Sequence, residues 1–221
     1  FCWVPGQLQI TYANKIGFKN DQIITGFYAR DLESFNYKFK SNIELKKSFP
    51  KKFLYVGRYL KLKGVLDLWN SFIEFSNKNK EWELHCVGTG DLFDKRVIHD
   101  KIFHHGFLQK DELLNLIEIT GVFIMPSHYD HWGMAVQEFA ASGFPLICSD
   151  KVGAASSFLK ENENGVLFVS KNQKSLLNAM RKISNLSEED LSKFGRNSNI
   201  LAKKYDINSW VNSFMKFLKY D

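Results

Sequence analysis

A parallel α/β sheet flanked by helices is the fold class this sequence predicts, and three observations carry it. Short apolar runs recur from Phe53 onward, and amphipathic helical stretches separate them. Glycine or proline punctuation closes most of the runs: Gly57, Gly88-Thr89-Gly90, Gly106 and Pro126. Most of the runs are short and apolar, with Glu83 and His85 in the second as exceptions, as expected of strands largely buried on both faces of a parallel sheet.

The elements follow in order. Residues 1–48 stand apart, with Pro5-Gly6, Gly17, Gly26, one helix expected from Gln7 to Ile16, and then a Lys-rich polar stretch. They read as an interdomain connector or the remnant of a preceding domain, and residues 49–221 as the alternating body. The chain opens Phe1-Cys2-Trp3 without a Met, so a fragment with an upstream part is expected. Phe53 to Val56 reads as a buried strand. Val65, Leu66, Leu68, Trp69, Phe72, Ile73 and Phe75 repeat at helical spacing. Strands are expected at Trp82 to Val87, Ile102 to His104, Val122 to Met125, Leu146 to Cys148 and Val166 to Val169. Helices are expected around Leu113–Ile117, at Met134 to Ala141, and over 172–184, 188–204 and 208–219. Ser187, followed by Glu188, Glu189 and Asp190, is a good N-cap.

Composition bounds the function classes. The 221 residues are 44% hydrophobic and 15% aromatic with 20 Phe, enough to bury a sizeable core. The net charge of +6 suits phosphates or an anionic surface, or simple solubility. Cys2, Cys86 and Cys148 form neither a CxxC pair nor an even framework, so a reduced, cytoplasmic protein is expected. No apolar run approaches a membrane span and no signal peptide is visible. The lysine clusters Lys38/Lys40, Lys46/Lys47, Lys51/Lys52 and Lys203/Lys204 read as solvated. No recognition helix or stacked-aromatic motif accompanies them, so nucleic acid is not an expected partner.

In parallel sheets, ligands bind beyond the carboxyl ends of the strands, and three constellations lie there. Gly57-Arg58 with Lys63-Gly64 follows the first strand of the body and opens a helix. A guanidinium fork and an ammonium near a helix N-terminus suit a diphosphate; as an alternative, both are solvated loop charges. Gly88-Thr89-Gly90 invites a dinucleotide reading. Phe93 stands where a third glycine should be, and the turn follows the second strand, so a tight turn close to some ligand is the better reading. The richest stretch runs from Pro126 to Asp150. Asp130 lies in its loop and Glu138 on the following helix, placed to face one cleft. The amides of Gly133, Met134 and Ala135 point out of that helix start. Carboxylates accept hydrogen bonds from sugar hydroxyls, and amides donate them to phosphate. His128, Asp130 and His131 also admit a metal reading. His85, His104 and His105 read as ordinary strand-end histidines. There is neither a GxSxG elbow nor a Walker loop.

In order, FLYVGRYLKLKG, HCVGTGDL, HHGFLQKDEL, GVFIMPSHYDHWGMAVQEFAASGFPLICSD and NGVLF resemble the group-1 retaining glycosyltransferases. The resemblance covers about residues 50–215 and implies a Rossmann-like domain, one half of a GT-B glycosyltransferase. It implies that 49–221 is the nucleotide-sugar donor-binding domain and 1–48 the interdomain crossing. Arg58 and Lys63 then contact the donor diphosphate, beside Gly57 and Gly88. Glu138 matches the second Glu of the family's Glu-x7-Glu motif and binds ribose hydroxyls. Asp130 stands where the first Glu contacts the transferred sugar, one methylene short of the family pattern. Gly133, Met134 and Ala135 meet phosphate and sugar through their amides, and Phe107, Leu108 and Lys110 match the segment that holds the base.

The resemblance further implies transfer with retention and no cofactor or metal beyond the substrate, a UDP-, GDP- or ADP-sugar. The acceptor, a glycan or lipid-linked sugar, belongs to an N-terminal domain absent from this sequence. This chain alone is therefore expected to bind donor without efficient turnover. Residence in the cytoplasm with peripheral contact at the inner membrane face is expected. A non-catalytic sugar-nucleotide-binding or regulatory domain of the same fold is the alternative reading.

Overall fold

The computed structural model describes residues 1–44 and 48–218; Lys46, Lys47 and residue 219 lie outside the described residues. The chain opens with β1 (Cys2–Val4), α1 (Gln7–Lys15) and β2 (Ile23–Thr25). β1 and β2 pair in parallel as a small separate sheet. Next comes α2 (Glu33–Glu44), and then the alternating body begins. β3 (Lys52–Val56) leads to α3 (Val65–Ser76), β4 (Glu83–Val87) and β5 (Ile102–His104). α4 (Lys110–Ile119), β6 (Val122–Met125), α5 (Met134–Ala141) and β7 (Leu146–Ser149) follow. The short α6 (Ala155–Phe158) precedes β8 (Gly165–Phe168). Three helices close the described chain: α7 (Gln173–Ser184), α8 (Glu188–Ala202) and α9 (Ile207–Phe217).

The main sheet has six strands in the order β5-β4-β3-β6-β7-β8, every neighbouring pair parallel. The chain starts at the centre, winds outward to β5, then crosses back to β6 and winds the other way. This is the doubly wound order, and its switch point lies between β3 and β6, where the crevice of such sheets opens.

Both faces of the sheet are covered over its central strands, which is why β3, β6 and β7 read as mostly apolar runs. On one face, α3 turns Val65, Leu68, Trp69, Phe72 and Phe75 inward at helical spacing. Phe53 stacks on Trp82 at 4.5 Å beneath them, and α7 packs alongside α3. The other face carries α2, α4, α5 and α8 over Leu54, Phe123 and Cys148, with Phe139 stacked on Phe123 at 4.3 Å. Burying an aromatic or aliphatic side chain of this size is worth roughly 1.5–3 kcal/mol, so these two layers supply most of the driving force.

The cap expected at Ser187 is made, and two more polar residues cap helix starts. Asn172, Ser187 and Asp206 accept backbone N–H bonds at the starts of α7, α8 and α9. Cys86 and Cys148 lie buried in the core as free thiols.

Two readings change. The Lys-rich stretch before residue 48 contains α2, which packs on α4, α5 and α8 and so belongs to the six-stranded body. Its anchors are Phe35, in edge-to-face contact with Phe139, and Asn36, which accepts a bond from Asn199. Lys38, read as solvated, is largely covered and ion-paired with Glu118. Lys203 and Lys204 are exposed, while Lys52 bridges to Glu83 at 2.9 Å.

Candidate functional site

The loops after β3 and β6 meet at the switch point. The β3 loop makes a 3-10 turn over Lys61–Lys63 and then enters α3 through Gly64, at φ 70°. A Cβ at Gly64 would stand 2.0 Å from the carbonyl oxygen of Pro126, so only glycine lets the two loops close. The backbone N–H of His128 completes the seam by donating to the Leu62 carbonyl at 2.8 Å. This contact delivers Lys63 to Asp130: Nζ donates to Oδ2 at 2.5 Å, with both side chains mostly buried.

Lys63 and Asp130 line a cavity of about 300 Å³ with Tyr28, Met125, His131, Trp132, Gly133, Met134 and Ala135. α5 begins at its wall. Gly133 takes φ 87° there, and the amides of Gly133, Met134 and Ala135 donate to no carbonyl among the described residues. An ammonium beside free amides at a helix N-terminus attracts an anion. Five of the expected residues (Lys63, Asp130, Gly133, Met134 and Ala135) therefore converge on one cavity.

Glu138 lies on the first turns of α5 with its side chain 9% exposed. It is ion-paired with Arg30, whose Nε donates to Oε1 at 2.6 Å. The remaining expected residues do not line the cavity. Arg58 is exposed, and its guanidinium makes no hydrogen bond or ion pair among the described residues. Its loop is fixed from below: the Tyr55 hydroxyl donates to the Arg58 carbonyl at 2.8 Å, and Gly57 N–H donates to Val87 O at 3.0 Å. Burial drives the Tyr55 phenol far above its usual range, so it stays a donor at every working pH. Gly88 packs its α-carbon side against Gly57 O, 2.0 Å from where a Cβ would stand. At the end of β5, Phe107 projects 70% exposed, Leu108 is half-buried, and Lys110 opens α4, exposed.

The metal reading of the β6 loop finds its three side chains engaged elsewhere. His128 Nε2 bonds Asp67 Oδ2 at 2.7 Å, Asp130 holds Lys63, and His131 Nδ1 meets the Tyr129 hydroxyl at 3.2 Å. Among the described residues, no three His, Cys, Asp or Glu side chains are grouped to hold an ion.

Three site residues escaped the sequence reading. Tyr28 and Arg30 come from the segment between β2 and α2, and Trp132 is buried in the β6 loop with its ring 6.0 Å from that of Tyr28. Trp132 Nε1 is buried without a partner. Neither Tyr28 nor Arg30 sits in a periodic pattern or at a strand end, so no local signal marks them.

The model of the family described as glycosyl transferases group 1 matches residues 36–200. The chain belongs to that family. It is 26% identical over 191 residues to an uncharacterized glycosyltransferase of Methanocaldococcus jannaschii, covering 80% of this chain and 47% of that one. Among solved structures it resembles a TarM mutant of S. aureus in complex with fondaparinux, α-GlcNAc-glycerol and UDP. There the TM-score is 0.79 at 19% identity, over 97% of this chain and 43% of the other. It also resembles sucrose-phosphate synthase from Thermosynechococcus elongatus, with a TM-score of 0.79 at 20% identity, over 99% and 57%. The fold is thus that of a Rossmann-like GT-B glycosyltransferase domain. The chain spans less than half the length of the curated relatives it matches.

Proposed function

We propose that this chain is the donor-binding part of a retaining glycosyltransferase that takes a nucleoside-diphosphate hexose. The observation that carries the reading is the convergence of Lys63, Asp130 and the free amides of α5 on one cavity at the switch point of the sheet. Lys63 and those amides receive the diphosphate, with Arg58 reaching in from the β3 loop. As the bond from the anomeric carbon to the diphosphate breaks, negative charge grows on the leaving oxygen. Fixed cations and amides stabilise that charge without reorganising. Asp130 accepts hydrogen bonds from the transferred sugar, Glu138 from the ribose, and the Phe107–Lys110 segment holds the base.

The acceptor, a glycan or a lipid-linked sugar, docks through a further domain. α9, which packs on the β1–β2 sheet, suits that contact, because it presents Ile207, Val211 and Met215 to solvent, with Leu218 just beyond its end. Without that domain the chain binds donor and turns it over poorly. No described helix is long and apolar enough to cross a membrane. A lipid-linked acceptor would bring the protein to the inner membrane face from the cytoplasm.

Calorimetric titration with UDP, GDP, ADP and NAD, with and without EDTA, tests the reading. The expected result is selective binding of one nucleoside diphosphate, unchanged by EDTA and lost in Arg58→Ala. UDP is the first probe because the S. aureus TarM structure holds it. Binding of NAD alone would overturn the assignment.

A further inference from the structure

Arg30 comes from the segment between β2 and α2, far from the strand-end loops that build the rest of the cavity. Its guanidinium reaches 108 positions along the chain to Glu138, which it grips through Nε at 2.6 Å and through Nη2. Both N–H groups fall on the same oxygen, Oε1. No described residue donates to Oε2, and that oxygen is not sealed from solvent. Two residues earlier, Tyr28 lines the cavity itself and faces Trp132. The segment that reads as a mere connector thus forms one wall of the candidate site.

The pairing has a chemical consequence. A glutamate has three side-chain torsions, and a carboxylate with only water to hold it samples several of them. Two guanidinium N–H groups converging on one oxygen pin that oxygen in place. We infer that Arg30 is a positioning residue of the donor site: it holds Oε1 of Glu138 and so presents Oε2 to the vicinal hydroxyls of the donor's ribose. This inference rests on the donor-site reading above. Arg30 has a second effect on the same ligand. With Asp130 matched by Lys63 and Glu138 matched by Arg30, the cavity offers a diphosphate no uncompensated carboxylate. Arg30 itself needs no contact with the nucleotide for either effect.

The test compares each of UDP, GDP and ADP with its 2′-deoxy counterpart by calorimetry on the whole chain. A hydroxyl donating to a charged acceptor is worth enough for the wild type to prefer the ribose form by about tenfold or more. Glu138→Gln and Arg30→Ala should each bring that preference close to unity. Both forms should lose some affinity in the Arg30→Ala protein, because Glu138 is then an unmatched carboxylate, and the ribose form should lose clearly more. Arg30→Lys, which keeps the charge and loses the fork, should recover only part of the preference. A purely structural role predicts a different pattern, in which both nucleotide forms weaken equally and the preference survives. That pattern, or an undiminished preference in a cooperatively melting Arg30→Ala protein, overturns the inference and leaves the donor site standing. A wild type that binds no nucleoside diphosphate, or does not distinguish ribose from deoxyribose, overturns the inference and the donor reading of Glu138 together.

Discussion

Lys63 and Asp130 hold each other in a mostly buried pair, and their roles separate under substitution. Lys63→Met removes the cation proposed to receive the diphosphate and leaves the carboxylate unmatched. Stability should fall by up to about 3 kcal/mol, and nucleoside-diphosphate affinity should fall as well. Asp130→Asn keeps the cation, so affinity for the free nucleoside diphosphate should hold or rise, while the gain from the attached sugar is lost. Calorimetry with the diphosphate and with its sugar ester distinguishes the two; equal losses for both ligands in Asp130→Asn would refute the division of labour. Gly64→Ala is a backbone test of the same site. The φ of 70° and the 2.0 Å approach to Pro126 O leave no room for a Cβ. Strain of about 1–3 kcal/mol should appear in denaturant unfolding, with diphosphate binding lost as Lys63 moves away. At this scale the sequence was informative wherever a side chain follows a strand, and so Lys63, Asp130 and the Gly133 turn could be read. Arg30 was not legible, because a pairing across 108 positions leaves no spacing to detect.

The edge pair β4 and β5 carries a histidine cluster with a measurable consequence. His85 Nδ1 meets His105 Nε2 at 3.0 Å, the two rings stack, and His85 Nε2 meets Glu83 Oε2 at 3.1 Å. Burial lowers the pKa of His85 despite the pull of Glu83. Burial and the neighbouring His85 lower that of His105, and burial lowers that of His104. The unfolded chain therefore binds protons that the folded chain refuses. Stability is full above the ordinary imidazole value of about 6.5 and is lost as pH falls from there through the depressed folded values. The melting temperature should drop between about pH 7.5 and about pH 5.5, by about 2–4 °C for each kcal/mol lost. His85→Gln should flatten that slope, and an unchanged slope would exclude the cluster as its source. Element types were largely legible: every strand of the main sheet lies within a residue of its expected limits. The misses have physical causes. α2 reads as polar because its apolar residues Phe35, Tyr37, Phe39 and Ile43 are interspersed with Asn, Lys and Ser, and among its described side chains only Phe35 is buried. β1, β2 and α6 are three or four residues long, too short for any period to emerge.

Across the whole molecule, apolar surface is distributed unevenly. The six-stranded body is closed on both faces, whereas α9 leans on the small sheet through Trp3, Trp210 and Phe214 and leaves its outer side bare. Ile207, Val211, Met215 and Leu218 are all about half exposed, and Leu8, Tyr12 and Ile16 on α1 add to the open apolar surface. The β1–β2 sheet is itself unusual, because two parallel strands alone bury too little to be stable without further cover. Exposed apolar side chains gathered on one helix, as on α9, mark a contact region, and in isolation such a face associates with whatever apolar surface is available. At rising concentration the chain should therefore self-associate, with a sedimentation coefficient that climbs with loading. Val211→Lys combined with Met215→Lys should hold it monomeric. Neither residue lines the donor cavity, so nucleotide affinity should be untouched. A wild type that stays monomeric at high concentration would mean that the small sheet and α9 satisfy each other, and the acceptor-bearing domain would then have to dock elsewhere. Self-association abolished by the lysine pair would locate the docking face on α9, on the small sheet's side of the molecule and beside the segment that carries Tyr28 and Arg30 into the donor site.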